Sequence, residues 1–300
     1  MATSINKYCH LTCRYLPPFF SHKHRIVYSQ TELLDRITDI DHPSVRETLR
    51  FLKWKKGIDI MHYGDLPHMS GMGSSSSFTV GLLHALYGLR GEIKSKRQLA
   101  LDAIHVEQNL IKESVGSQDQ TTAAFGGFNK IEFGGPQTVT VTPITISSEK
   151  KQALQSHLMM FFTGFSRKAS EIAAEQIKKT SEKEKELKIM RTMVDEAITI
   201  LNSKKNINDF GRLMHESWLL KRGLTAKISN PAIDAIYQTG LKTGAIGGKL
   251  LGAGGGGFLL FFAKPEVQPK LKEKFKKLIH VPFSFENFGS QIIHYSSNNP

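Results

Sequence analysis

Three stretches of this sequence carry residue types that could do chemistry together. The first is Leu66 to Gly91, LPHMSGMGSSSSFTVGLLHALYGLRG, where Gly71 and Gly73 precede the hydroxyls Ser74 to Ser77. Serines cap helices well, and a helix N-terminus offers unpaired N–H groups and a positive dipole end. An anion is the natural guest there, and phosphate the commonest one. The second is Glu107, on the same helical stripe as Ala100, Ala103, Ile104 and Ile111 in a helix expected from Ser95 to Glu113. A carboxylate facing a core is costly unless something compensates its charge, and a metal ion does so well. The alternative places Glu107 at the stripe's edge, in water, and spacing leaves both readings open. The third is Asp119 in VGSQDQTTAAFGGFNKIEF, Val115 to Phe133. It could cap a short helix, and it gains chemical meaning only beside the other two stretches.

These residues need elements to hold them. Gly57 to Tyr63 alternates as a strand, and after the glycines Phe78, Gly81, Leu82, Ala85, Leu86 and Leu89 recur as one buried helix face. Glycine–serine runs are commonly linkers, but a strand before and an amphipathic helix after make this a phosphate-loop context. It is not the common ATPase loop, because no G-x-x-x-x-G-K-[ST] occurs in the chain. Earlier strands are expected at residues 8 to 16 and 24 to 29, with a helix from His42 to Lys56 whose first turn contains Pro43. Later strands fall at Phe128 to Phe133 and Gln137 to Ile144. The polar stretch Ser147 to Gln155 reads as a domain boundary, dividing the chain into residues 1–150 and 151–300. Beyond it come a strand (His157 to Thr163) and four helices, the last from Asn230 to Thr243.

Near the end lies GGKLLGAGGGGFLLFF, in which Gly252, Gly254 and Gly257 satisfy G-x-G-x-x-G. A dinucleotide fingerprint should open a helix and be followed by a second strand and an acid. Here the glycines lead into the strand Phe258 to Phe262, which points to a loop between antiparallel strands that lets another loop come close.

The 300 residues, 40% hydrophobic and 22% charged, fit a globular protein with ample core. No apolar run reaches the length of a membrane span, and MATSINKYCH does not read as a secretory signal, so the expected address is the cytoplasm. Cys9 and Cys13, on one strand, would lie about 13 Å apart and stay reduced. The net charge of +13 comes without the aromatic-interleaved basic motifs of nucleic-acid binders. Phosphorylated small substrates account for it equally well, and neither nucleic acid nor membrane is an expected partner.

Taken together, SGMGSSSSFTVGLLHALYG, VGSQDQTTAAFGGFNKIEF, FFTGFSRKASEIAAEQ and GGKLLGAGGGGF resemble the GHMP kinases, the family of galactokinase, homoserine kinase, mevalonate kinase and phosphomevalonate kinase, and within it the heptose 7-phosphate branch. The resemblance implies an α+β fold of two domains, the first like domain 2 of ribosomal protein S5 and the second ferredoxin-like, with ATP in the cleft between them. It assigns Gly71, Gly73, Ser74, Ser75 and Ser76 to the nucleotide phosphates and Ser75 and Glu107 to Mg²⁺. Asp119 would be the catalytic base or orienting acceptor at the substrate hydroxyl, and Gly254, Gly255 and Gly256 would back the phosphate loop. The implied reaction is ATP-dependent phosphorylation of a sugar phosphate, D-glycero-D-manno-heptose 7-phosphate to the 1,7-bisphosphate. A free-sugar kinase, for fucose as an example, and a non-catalytic nucleotide- or sugar-binding protein are the alternatives. Members of the heptose branch begin with a strand and loop of the type R-x-S-x-x-G-G-G-T-D. The sequence Met1-Ala2-Thr3-Ser4-Ile5 would align after it, so that strand is expected to be missing and sugar recognition to be what it affects most. Arg14, Lys23, Arg25, Arg167 and Lys168 are candidates for gripping the substrate's own phosphate. A homodimer is an open expectation that no residue specifies.

Overall fold

The computed structural model describes residues 1–67, 70–135, 138–164 and 169–296. From the start of the chain come β1 (Ala2–Ile5), β2 (Cys9–Tyr15), β3 (His24–Val27), β4 (Thr31–Leu34), α1 (Pro43–Phe51) and β5 (Ile58–Gly64). The phosphate-loop helix α2 (Ser74–Leu89) follows, then α3 (Lys96–His105), α4 (Gln118–Phe125), β6 (Phe128–Phe133), β7 (Val139–Pro143) and α5 (Ser148–Ser156). The remainder is β8 (Leu158–Phe162), α6 (Ala169–Lys178), α7 (Glu184–Asn202), α8 (Asn208–Arg222), α9 (Pro231–Thr243), β9 (Gly247–Leu250), β10 (Phe258–Phe262), α10 (Gln268–Lys274), β11 (Ile279–Val281) and β12 (Phe285–Glu286).

The first sheet has the order β2-β5-β3-β4, with β2 antiparallel and β3 parallel to β5. Its period-2 pattern turns Cys9, Leu11, Cys13 and Tyr15 onto the core and His10, Thr12 and Arg14 outward. Both cysteines are free, and burial pushes their thiols up to about 12. Helix α2 lies on the core face of this sheet, where the Leu11 side chain comes within 2.6 Å of the place a Cβ on Gly81 would occupy. Because α3 and α4 cover its other sides, Val80, Leu83 and Tyr87 are buried as well as Phe78, Leu82 and Leu86. The single buried stripe expected for this helix is therefore too narrow. Helix α1 stops at Phe51, short of Lys56: Lys53 adopts φ 50°, and Trp54 folds back to stack on Tyr15 at 5.6 Å.

The stretch expected to be a boundary is the ordered helix α5, capped by Ser147 and anchored by Leu154, which is 1% exposed. Beyond it, β8 to β11 form an antiparallel sheet in the order β11-β8-β10-β9. In chain order that is 4-1-3-2, the ferredoxin-like arrangement, and Phe161, Phe261, Tyr237 and Trp218 fill its core. A third sheet, β12-β1-β6-β7, joins the two ends of the chain, with Ile5 opposite Phe285. Four-residue β1, half-buried throughout, carried no sequence signal strong enough to be read. After β12 the chain crosses α4 and α2: the Ser290 N–H donates to the Ala123 carbonyl (2.8 Å), its hydroxyl meets His84 Nδ1 (2.9 Å), and Ile292 packs on Gly88. No helix among the described residues is long and apolar enough to cross a membrane.

Candidate functional site

Helix α2 begins without a side-chain cap. Gly73, not one of the serines, is its N-cap, and at φ 71° it holds a conformation that side chains other than glycine's rarely adopt. Ser77 N–H donates back to the Gly73 carbonyl (2.8 Å), while among the described residues the N–H groups of Ser74, Ser75 and Ser76 have no protein acceptor. Three open donors at the positive end of a sixteen-residue helix make an anion cradle.

The serines divide their work. Ser75 is exposed, its Oγ 3.5 Å from Glu107 Oε1; Ser76 is 5% exposed and donates to Glu107 Oε2 at 2.9 Å. The Ser76 hydroxyl thus faces inward, and only its N–H serves the cradle. Glu107 is fully buried, and Gln120 Nε2 also donates to its Oε2. Burial raises the Glu107 pKa, and the hydrogen bonds from Ser76 and Gln120 oppose the rise. The helix expected to run unbroken to Glu113 becomes, at Val106–Leu110, a π-helical turn that carries Glu107. Such a turn holds an extra residue, shifts the helical phase of the residues after it, and recurs at functional sites. Beside Glu107 the Gln120 Oε1 is buried without a partner among the described residues. Ser75 Oγ, a Glu107 oxygen and this orphaned amide oxygen are a hard-oxygen donor set that fits Mg²⁺, which characteristically takes one or two carboxylates and completes its shell with phosphates and water. No cluster of three or more His, Cys, Asp or Glu suited to a metal occurs among the described residues.

Asp119 lies in the first turn of α4, but its carboxylate makes no capping bond. It is turned onto the phosphate loop: a Cβ on Gly73 would meet its Cβ, Cγ and Oδ2 at 3.1–3.3 Å. Burial raises its pKa, and the ammonium of Lys221 opposes the rise. Glu107, Ser75, Gly73 and Asp119 therefore converge on one helix end.

The glycine loop is a β9–β10 hairpin, as its sequence implies, but different residues back the phosphate loop. Gly252 and Gly257 press on Gly71 and Ser70, with Cβ positions 2.5 and 2.0 Å from their carbonyl oxygens. Gly254 packs on Ile228, and the Gly255 N–H donates to the Ile228 carbonyl (2.8 Å), which ties the hairpin to the loop between α8 and α9; Gly256 is buried beside them.

Arg14 and Arg25 do not reach this site. Both bind Asp59, at 2.9 and 2.5 Å, on the sheet face opposite the core that α2 covers. Lys23 is exposed in the β2–β3 loop, and Arg167 and Lys168 lie outside the described residues. Two cations that sequence reasoning passed over stand here instead. Lys221, at the end of α8, donates its Nζ to the Gly252 carbonyl; burial and the like charge of Lys249 lower its pKa to about 7, against the pull of Asp119. Lys249, in β9, is lowered by burial alone. A lysine inside the otherwise apolar strand GGKL was the readable signal, because a charge there needs a reason.

Residues 43–127 match the family model described as GHMP kinases N terminal domain, and residues 184–280 the one described as GHMP kinases C terminal. A D-glycero-alpha-D-manno-heptose 7-phosphate kinase of Campylobacter jejuni is 29% identical over 76% of this chain and 67% of its own. The bifunctional fucokinase/GDP-fucose pyrophosphorylase of Arabidopsis thaliana is 26% identical over 79% of this chain, which spans only 23% of that protein. Among solved structures, a D-glycero-D-manno-heptose 1-phosphate kinase from Bacteriodes thetaiotaomicron superposes with a TM-score of 0.72 at 23% identity, covering 98% of this chain and 90% of its own.

Proposed function

Because the chain belongs to the GHMP kinase family, we propose that it is a kinase that transfers the terminal phosphoryl group of ATP, with Mg²⁺, to a hydroxyl of a sugar phosphate, D-glycero-D-manno-heptose 7-phosphate being the substrate of choice. The observation that carries this reading is the placement of the Asp119 carboxylate against Gly73, at the mouth of an anion cradle. The N–H groups of Ser74 to Ser76 hold nucleotide phosphates, and the absence of a side chain at Gly71 and Gly73 lets those phosphates lie against the backbone. Ser75 and Glu107 would hold the metal, whose positive charge would offset the negative charge that develops during transfer. Asp119 accepts the proton of the attacking hydroxyl. A carboxylate whose pKa burial has raised is a better base than one in water, provided it is still ionised at the working pH. Phosphoryl transfer asks little more of a protein than this positioning and charge compensation.

The resemblance of the phosphate loop and glycine hairpin to the heptose branch, and the Campylobacter jejuni relative, support the choice of acceptor. The test is ADP release from ATP and Mg²⁺ with heptose 7-phosphate, the free heptose and fucose offered in parallel. Faster turnover of the phosphorylated heptose is expected. Equal or faster turnover of the free sugars would overturn the choice of acceptor, and no turnover of any acceptor would overturn the kinase reading.

A further inference from the structure

The face of β9 that carries Lys249 is set by its neighbours. Strand alternation places Lys249 on the side of Gly247, where α8 passes so close that a Cβ on Gly247 would meet the Gly211 carbonyl oxygen at 2.0 Å. Leu250, pointing the other way, is fully buried in the ferredoxin-like core. Lys249 therefore shares the α8 side of the sheet with Lys221, and Lys221 feels both Lys249 and Asp119. The Lys249 ammonium has no hydrogen bond or ion pair among the described residues, although it lies on a strand packed into the protein. Lys221 is thus within reach of both the Lys249 ammonium and the Asp119 carboxylate, and that carboxylate is turned onto the phosphate loop at Gly73.

Concentrated positive charge of this kind costs stability, and an anion is its natural complement. The nucleotide's phosphates already have the α2 N-terminus and a metal. Lys221 is tied to Gly252, which touches the phosphate loop, but Lys249 lies further along β9, before the hairpin turns toward that loop. We propose that Lys249, backed by Lys221, forms an anion subsite on the acceptor's side of Asp119, and that it receives a phosphate the acceptor already carries. A phosphate monoester, with about −1.5 to −2 charges at neutral pH, suits two ammonium groups better than a carboxylate does. This subsite deepens the sugar-phosphate reading and rests on it for the identity of the acceptor.

The test measures binding by calorimetry on the whole chain, with heptose 7-phosphate, the free heptose and Mg²⁺–ATP as separate titrants. Wild type should bind the phosphorylated sugar at least about tenfold more tightly than the free one. Lys249→Met, which keeps an unbranched chain and removes the charge, should lose about 10- to 100-fold in affinity for heptose 7-phosphate, the range of a charged hydrogen bond. Its affinities for the free heptose and for Mg²⁺–ATP should hold, and Lys249→Arg should restore the preference, which separates lost charge from lost folding. A Lys249→Met variant that still prefers the phosphorylated sugar as wild type does, or that loses affinity for ATP instead, overturns the subsite. Lys249-dependent binding of heptose 7-phosphate without its turnover would uphold the subsite and sink the kinase reading. Turnover of the phosphorylated sugar with no dependence on Lys249 would do the reverse.

Discussion

Glu107 is a buried carboxylate and Asp119 a half-buried one with different surroundings, and the difference fits different work. Glu107 accepts hydrogen bonds from Ser76 and Gln120 and is closed to solvent, an arrangement suited to a fixed ligand. Among the described residues Asp119 accepts none, and it faces the cradle with the ammonium of Lys221 acting on it, an arrangement suited to a group that must take up and release a proton. Asp119→Asn should lower turnover by about 10²- to 10⁴-fold while leaving the ATP dissociation constant near that of wild type. Turnover within a few-fold of wild type would remove the base role. Since burial raises the Asp119 pKa above its ordinary 3.8, turnover should fall on the acid side at a pH above the usual carboxylate range. A rate-versus-pH profile locates that limb. Glu107→Gln should raise the Mg²⁺ concentration for half-maximal activity by about tenfold or more. An unchanged metal requirement would return Glu107 to a purely structural role.

At the scale of elements, the hairpin between β9 and β10 and the loop before α2 are two glycine turns pressed together, and neither tolerates added bulk. Gly252→Ala would place a methyl 2.5 Å from the Gly71 carbonyl oxygen and at φ 66°, so both loops must shift. ATP affinity should weaken by more than overall stability predicts, which nucleotide titration beside a thermal melt would reveal; unchanged ATP binding would show that the hairpin does not shape the cradle. These turns were legible in the sequence because glycine has few other reasons to recur so densely, and α2 because strand, turn and helix patterns met there. Which glycines touch which was not legible, since Gly252 and Gly254 differ only in what the fold brings against them. The π-helical turn at Glu107 was hidden for a related reason: its residues fit an α-helical stripe, and only packing under α2 selects the wider turn. Strand β1 owes its place to pairing with β6 and β12, which are remote in sequence. The same remoteness applies to the segment after β12 that fastens α4 to α2. Ile292→Ala should cost about 2 kcal/mol or less, given its partly exposed position, and a urea midpoint equal to wild type would show that the crossing contributes nothing.

At the scale of the whole molecule, the site stores charge that the fold alone does not balance, and stability should register it through pH. Lys221 has a folded pKa of about 7 against 10.5 unfolded. Between those values the unfolded chain holds a proton that the folded chain has released, so stability should rise as pH rises through this window. Lys249 is lowered too and acts in the same direction. Cys9 and Cys13 act oppositely, but only above about pH 9, because their thiols move from 9.0 to about 12. Urea unfolding of the ligand-free protein between pH 7 and 8.5 should therefore show stability increasing with pH, and Lys221→Met should flatten the slope. Saturating Mg²⁺–ATP and heptose 7-phosphate should flatten it as well, because an anion beside Lys221 favours the ammonium and returns its pKa toward 10.5. A slope unaffected by either change would mean that Lys221 is solvated like a surface lysine and that the charge in the cleft needs no ligand to balance it.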